Sequence, residues 1–155
     1  PSFSRSSLIL ESIKALGKLK SYKMHIAWDD GEADGEFIFG MVTNTTSVGG
    51  FSGLAPKDVS FHDGLFEGLF IRTPKSPVDL PNILSGLLLF PEQENKDMIR
   101  FKSSKFTVTA DEDVPWVLDG EFGGAVKEAK IENVKEAVTL SCSPEPEKKE
   151  EKTEN

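Results

Sequence analysis

Apolar and polar residues alternate through much of this chain, and the period of that alternation names most of its elements. Tyr22, Met24, Ile26 and Trp28 are separated by Lys23, His25 and Ala27, the two-residue rhythm of a strand with one buried face. His25 falls on the solvent side. Phe37 to Thr43 reads as the next strand, and between the two the run Asp29 to Glu36, DDGEADGE, reads as a hairpin connection. Its acidic residues are read as a solvated turn rather than a metal cluster. Leu65 to Thr73 alternates only in part, as a strand covered on both faces does. Met98 to Ala110 reads as a strand or hairpin arm with Phe106, Val108 and Ala110 inward, and Pro115 to Leu118 as a further strand closed by Asp119-Gly120-Glu121.

Helical spacing appears twice. Ile9, Ile13 and Leu16 share one face of a segment from Ser7 to Lys20, with Ser6 or Ser7 as its cap and lysines near its end. Leu80, Ile83, Leu84, Leu87 and Leu88 share another, ended by Pro91, which predicts a short helix packed on a sheet. Ala125 to Ser141 holds both patterns: EAKIENVKEAV contains good helix formers, whereas Ala137 to Ser141 looks extended. Without the strand-helix alternation of parallel α/β folds, the pattern predicts a mainly β protein, an antiparallel β-sandwich with one or two short helices.

Composition narrows the function classes. The chain has 155 residues, 37% apolar, enough for one domain with its own core. Its net charge of -8 opposes a polyanionic partner, so nucleic acid is not expected. Part of that charge sits in the tail from Glu145 onward, which lacks large apolar residues. The expected organisation is a folded domain over 1–143 and a disordered acidic tail over 144–155. Cys142 stands alone, so no internal disulfide forms, which fits a reducing compartment. No apolar run approaches the roughly 20 residues of a membrane span. The expected location is cytoplasmic, with any membrane contact peripheral and made through an apolar patch.

Between the strands ending at Thr43 and starting at Leu65 lies a glycine-rich segment with Asn44, Gly49-Gly50, Gly53 and Asp63-Gly64. Glycines in that number suit positive φ or close approach to another group. Two histidines and one cysteine do not make a typical zinc site, no serine, histidine and aspartate trio stands out, and no Walker phosphate loop is present. Asp63-Gly64 and Asp119-Gly120-Glu121 read first as hairpin turns, with a functional reading beside it. Asp119 and Glu121, two apart around a glycine, can present paired carboxylates, one accepting a hydroxyl proton while the other orients the acceptor. Residue type and spacing leave both readings open.

The order Asn44, Gly49-Gly50, Leu54-Ala55-Pro56, Asp63-Gly64-Leu65 and then Leu118-Asp119-Gly120-Glu121 resembles the C-terminal part of the diacylglycerol kinase and sphingosine kinase-like lipid kinases, the soluble bacterial ones above all. The resemblance runs from about Leu8 to Ser141, and Phe51 stands where the family often has a third glycine. It implies a β-sandwich that follows an α/β nucleotide-binding domain bearing a GGDGT motif, with the active site in the cleft between them. It also favours strands over 125–138. The nucleotide-binding domain is not in this sequence, and the missing initiator Met fits an excised piece.

By the same resemblance, Glu121 takes the proton from a lipid hydroxyl that attacks the γ-phosphate of ATP, with Asp119 beside it. The carbonyls of Ser60 and Leu65 and the carboxylate of Asp63 hold a structural Mg²⁺, an ion that prefers oxygen ligands. Asn44, Gly49 and Gly50 match the segment facing the cleft, and ATP is bound mainly by the other domain. The implied partners are that N-terminal domain and a lipid substrate at the membrane surface, with homodimerisation left open. A stand-alone β-sandwich that binds a ligand or protein without catalysis is the alternative.

Overall fold

The structure, a computed structural model, describes residues 19–45, 60, 62–76, 78–88 and 95–138. The expected helix up to residue 18, the pair Gly49-Gly50, Cys142 and the tail lie outside the described residues, and Leu19 and Lys20, its expected end, are not helical. Among the described residues, six strands and one helix follow in the order β1 (Tyr22–Trp28), β2 (Gly31–Thr43), β3 (Phe66–Arg72), α1 (Asp79–Leu88), β4 (Met98–Ser103), β5 (Lys105–Leu118) and β6 (Glu121–Glu132). The strands form one antiparallel sheet in the order β4-β3-β2-β1-β5-β6. The fold is mainly β, as the alternation predicts.

One short link shapes that sheet. Four strand spacings separate β4 from β5, about 19 Å if the sheet were flat. Ser104 alone joins them, and a single residue spans roughly 7 Å between its neighbours. The sheet therefore rolls until β4 faces β1 and β5, and sandwich-like packing arises within one continuous hydrogen-bonded sheet. β2 makes the corner. Its first half pairs with β1 and its second half with β3, and the ladder shifts between Phe37 and Phe39. That bulge turns Phe37 inward while Phe39 faces out toward the helix, although the two are only two residues apart.

Inside the roll, aromatic rings meet across the two layers. Trp28 of β1 stacks on Phe101 of β4 with centroids 4.5 Å apart and planes within 2°. Phe101 in turn stacks on Phe70 and meets Phe106 edge-on, and Phe70 meets Phe37 edge-on. Each such pair contributes about 1 kcal/mol beyond the area it buries. The rings fit because glycines face them. A Cβ at Gly68 would lie 2.4 Å from the Phe101 ring, and one at Gly40 would lie 2.6 Å from Phe70. Outside, Leu69, Ile71 and Met98 pack under Ile83 and Leu87 of α1. β3 is thus buried on both faces, which is why its alternation is incomplete.

The closed end carries a latch. The Asp29 carboxylate accepts from both the amide and the hydroxyl of Ser104, at 2.9 and 2.8 Å. The Asp29 amide donates to Oγ of Ser103, whose hydroxyl donates to the Lys105 carbonyl. Hydrogen bonds from the Ser104 hydroxyl and amide, with help from Ser103 and Lys105, hold the Asp29 carboxyl below its ordinary range.

Three expectations need correction. The connection between the first strands is only Asp29-Asp30, with Trp28 paired to Gly31, because Glu32, Asp34 and Glu36 alternate with Ala33 and Gly35 and sit on a solvent-facing strand. Met98 to Ala110 is two strands divided at Ser104, and Pro115 to Leu118 is the end of β5. Of the ambiguous C-terminal stretch, β6 runs to Glu132. Val134 to Ala137 then makes a turn, with the Ala137 amide on the Val134 carbonyl and Glu136 at a φ of 58°.

Two outcomes are expected. Gly68→Ala drives the Phe101 ring off Trp28 and lowers unfolding stability by about 1–3 kcal/mol in urea titration; unchanged stability would remove the close approach from its role. Asp29→Asn lowers the melting temperature by a few degrees at neutral pH. Because the folded carboxyl titrates below the unfolded value of about 3.9, its stabilisation is present above that pH and fades as pH falls through the folded value. The gap between wild type and variant should accordingly close in acid, and a gap constant with pH would count against the latch.

Candidate functional site

Leu118 pairs with Glu121, so Asp119 and Gly120 alone form the loop between β5 and β6. Their φ values are 50° and 91°. Positive φ at both central residues is the type I′ turn, which Asp-Gly suits because aspartate tolerates the left-handed region and glycine has no Cβ to clash. The hairpin reading of this motif is therefore correct, and it does not compete with the functional one. The turn places the exposed carboxylates of Asp119 and Glu121 at the tip of the β5–β6 ribbon. Just past Glu121 the ladder shifts, with Val117 opposite Phe122 and Trp116 opposite Gly124. The extra residue, Gly123, lies over Leu118, where an added Cβ would come within 2.7 Å of Leu118 Cγ. Bulges of this kind re-aim neighbouring side chains.

The ribbon bends as it leaves the body. Thr109 pairs with Glu128 and Val114 with Val126, so Ala110 to Asp113 stand opposite Lys127 alone. Lys23 and Lys20 reach Asp111 and Glu112 across this irregular stretch. The Glu112 hydrogen bond raises the Lys20 pKa above its usual value. Beyond the bend, Val114 and Trp116 pack against the aromatic core while the opposite face stays bare.

The other candidate lies at the far end of β6. The Leu65 amide donates to Oδ1 of Asp63 at 3.0 Å, the His62 amide donates to the Ser60 hydroxyl, and Gly64 has a φ of 78°. The Leu65 carbonyl accepts from Nδ2 of Asn133 at 3.2 Å, and the Asn133 amide donates to the Ser104 carbonyl. Asn133 and Lys135, which lies over Gly64, have no signature in the sequence that marks them as supports of this loop. The Asx bond occupies one carboxylate oxygen of Asp63 and the Asn133 bond one lone pair of Leu65. The oxygens left over, from carboxylate and carbonyl, are hard donors, the type Mg²⁺ takes. Among the described residues no three of His, Cys, Asp and Glu cluster as metal ligands, so any cation here would lean on backbone carbonyls.

Register separates the two candidates. β6 carries Glu121 at one end and meets the Ser60–Leu65 turn, through Asn133, at the other, about 35 Å of strand path away. Asn44 follows Thr43, which pairs with Glu67, so it sits at the Leu65 end and not beside Glu121. Gly49 and Gly50 are outside the described residues. Among the described residues, no helix is long and apolar enough to cross a membrane.

No family model matches the chain. Over 115 residues, 74% of its length, the chain is 31% identical to the diacylglycerol kinase of Bacillus subtilis (strain 168), covering 37% of that protein. Its fold is similar to solved structures of diacylglycerol kinase-type proteins from Bacillus anthracis str. Sterne. One has a TM-score of 0.59 at 16% identity, with 84% of this chain and 47% of that one covered. Another has a TM-score of 0.57 at 18% identity, with 80% and 43% covered. The chain thus spans less than half the length of the relatives it matches. In sequence the chain is similar to a diacylglycerol kinase, and in fold to solved diacylglycerol kinase-type structures.

Proposed function

We propose that this chain is the acceptor-side domain of an ATP-dependent lipid kinase, in which Glu121 is the general base for a lipid hydroxyl. The observation that carries this reading is the type I′ turn holding Asp119 and Glu121 at the tip of a protruding ribbon, in a chain similar to diacylglycerol kinases. Phosphoryl transfer asks a protein mainly to position the reactants and match their charge. A carboxylate fixed by a two-residue turn meets the first need. It accepts the hydroxyl proton as the oxygen attacks the γ-phosphate of ATP, the bond from that phosphorus to the bridging oxygen breaks, and ADP leaves. Asp119, one residue before the turn glycine, orients the hydroxyl. Mg²⁺ accompanying ATP supplies positive charge to the phosphates. The nucleotide is held mainly by an N-terminal domain that precedes this one in the full-length protein, which acts peripherally at the membrane from the cytoplasm.

A second Mg²⁺, at Asp63 and the carbonyls of Ser60 and Leu65, is structural in this reading. Its distance along β6 from Glu121 keeps it out of the chemistry. Asn133 ties that turn to the closed end of the sheet, so a cation there would brace the fold.

The isolated chain should transfer no phosphate from ATP to diacylglycerol. In the full-length protein, Glu121→Gln should lower kcat by a hundredfold or more, since a positioned general base contributes about 10²–10⁴, while the circular dichroism melt stays in place. Near-normal turnover would remove Glu121 from this role. Asp63→Ala should cost about 1 kcal/mol through its turn bond and abolish any rise in melting temperature on adding Mg²⁺; a variant that still responds to the metal would place the cation elsewhere.

A further inference from the structure

The alternation of β5 carries Val114, Trp116 and Leu118 to one face of the β5–β6 ribbon, and pairing adds Glu121 to that face, opposite Leu118. Trp116 and Glu121 are thus diagonal neighbours across the ribbon, on strand positions roughly 7–8 Å apart. Gly124 stands directly opposite Trp116. Beyond its chain neighbours, no heavy atom lies within 4 Å of where a Cβ on Gly124 would stand, which leaves a notch beside the indole. The φ of 106° at Gly124 strains any larger residue there.

Trp116 has a single polar atom in its side chain, and that atom is unsatisfied. Nε1 is shielded from solvent without a hydrogen-bond partner, while the residue packs against the aromatic core. Buried donors are nearly always paired, because an unmade bond forfeits the hydration lost on folding. The indole nitrogen only donates, so what it lacks is an acceptor. Asp119 and Glu121 at the ribbon tip repel an anionic one. A neutral carbonyl oxygen meets both conditions.

We infer that Trp116 determines which lipid alcohol is accepted, its indole N–H donating to an acyl carbonyl beside the hydroxyl that Glu121 deprotonates. The inference rests on the lipid-kinase reading above and names its substrate class, diacylglycerol. In that lipid the carbon bearing the free hydroxyl adjoins one bearing an ester, so hydroxyl and carbonyl lie a few bonds apart, a separation that side chains on diagonal positions can bridge. A sphingoid base carries an ammonium in place of the ester. An ammonium only donates, so it leaves the indole unpaired and sets two donors against each other. Sites built to hydrogen-bond a substrate group reject analogues that lack it far more strongly than apolar pockets reject a missing methylene.

The test measures kcat/KM in the full-length protein for dioctanoylglycerol, for the diether dioctylglycerol, which keeps the hydroxyl but has no carbonyl, and for sphinganine. The wild type should prefer the diester over both by about tenfold or more. Trp116→Phe should bring diester and diether to parity by lowering the diester value alone. A variant that keeps the wild-type preference overturns the inference, as does a wild type indifferent to the carbonyl. If Trp116→Phe unfolds, the wild-type preference decides. A second readout is independent of turnover. In protein carrying isotope-labelled tryptophan, the indole N–H resonance that Trp116→Phe removes should move downfield with dioctanoylglycerol and stay in place with dioctylglycerol. The two measurements separate the two readings: a protein that phosphorylates no lipid yet shows the diester-specific shift keeps the carbonyl contact and sinks the kinase, whereas an active kinase with neither preference nor shift sinks the contact alone.

Discussion

Everything in this fold answers to the distance that Ser104 has to span. A lone residue between strands at positions one and five of a sheet leaves the sheet no choice but to roll. Rolling brings Trp28 against Phe101, and that stack in turn needs glycine at position 68 to leave room for the ring. The same closure puts Asp29 within reach of the Ser104 amide and hydroxyl, so the link that imposes the curvature also supplies the bonds that fasten it. The bulge after Phe37 is the matching device on the other side, turning one long strand from one layer into the next.

Much of this was legible in the chain. Alternation at Tyr22 to Trp28 and at Phe106 to Ala110 located β1 and β5, partial alternation located the doubly covered β3, and the leucine face located α1. What misled was charge. Asp29 to Glu36 reads as a turn because it is acidic and contains two glycines, yet charge reports only exposure, and the exposed face of a strand is as acidic as a loop can be. Ser104 was invisible for the opposite reason. A break of one residue barely disturbs the local pattern from Met98 to Ala110, and its consequence lies in strand order, which local periodicity does not encode.

The site was legible to a different depth. Asp-Gly announced the hairpin, and the geometry of Asp119 and Gly120 agrees with it in detail. A role for Glu121 came only from resemblance, since any exposed turn can carry carboxylates. Support of the Ser60–Leu65 turn by Asn133 could not be read at all, because the two segments meet through the roll and not through sequence. The two groups of candidate residues also prove to lie toward opposite ends of β6.

The pairing of Met24 with Ala110 has a consequence for how the molecule is made. The β1–β2 and β5–β6 hairpins are local and close quickly, whereas the contact that joins them waits for most of the chain to exist. Topologies dominated by such distant pairings fold slowly, because the entropy of closing the long loop is lost before the contacts that reward it form. Until β5 arrives, the free edge of β1 is an unpaired strand carrying Met24, Ile26 and Trp28, the kind of edge that seeks other chains. The lysines at 20 and 23, which later meet Glu112 and Asp111, stand beside that edge during the interval and discourage the wrong partner.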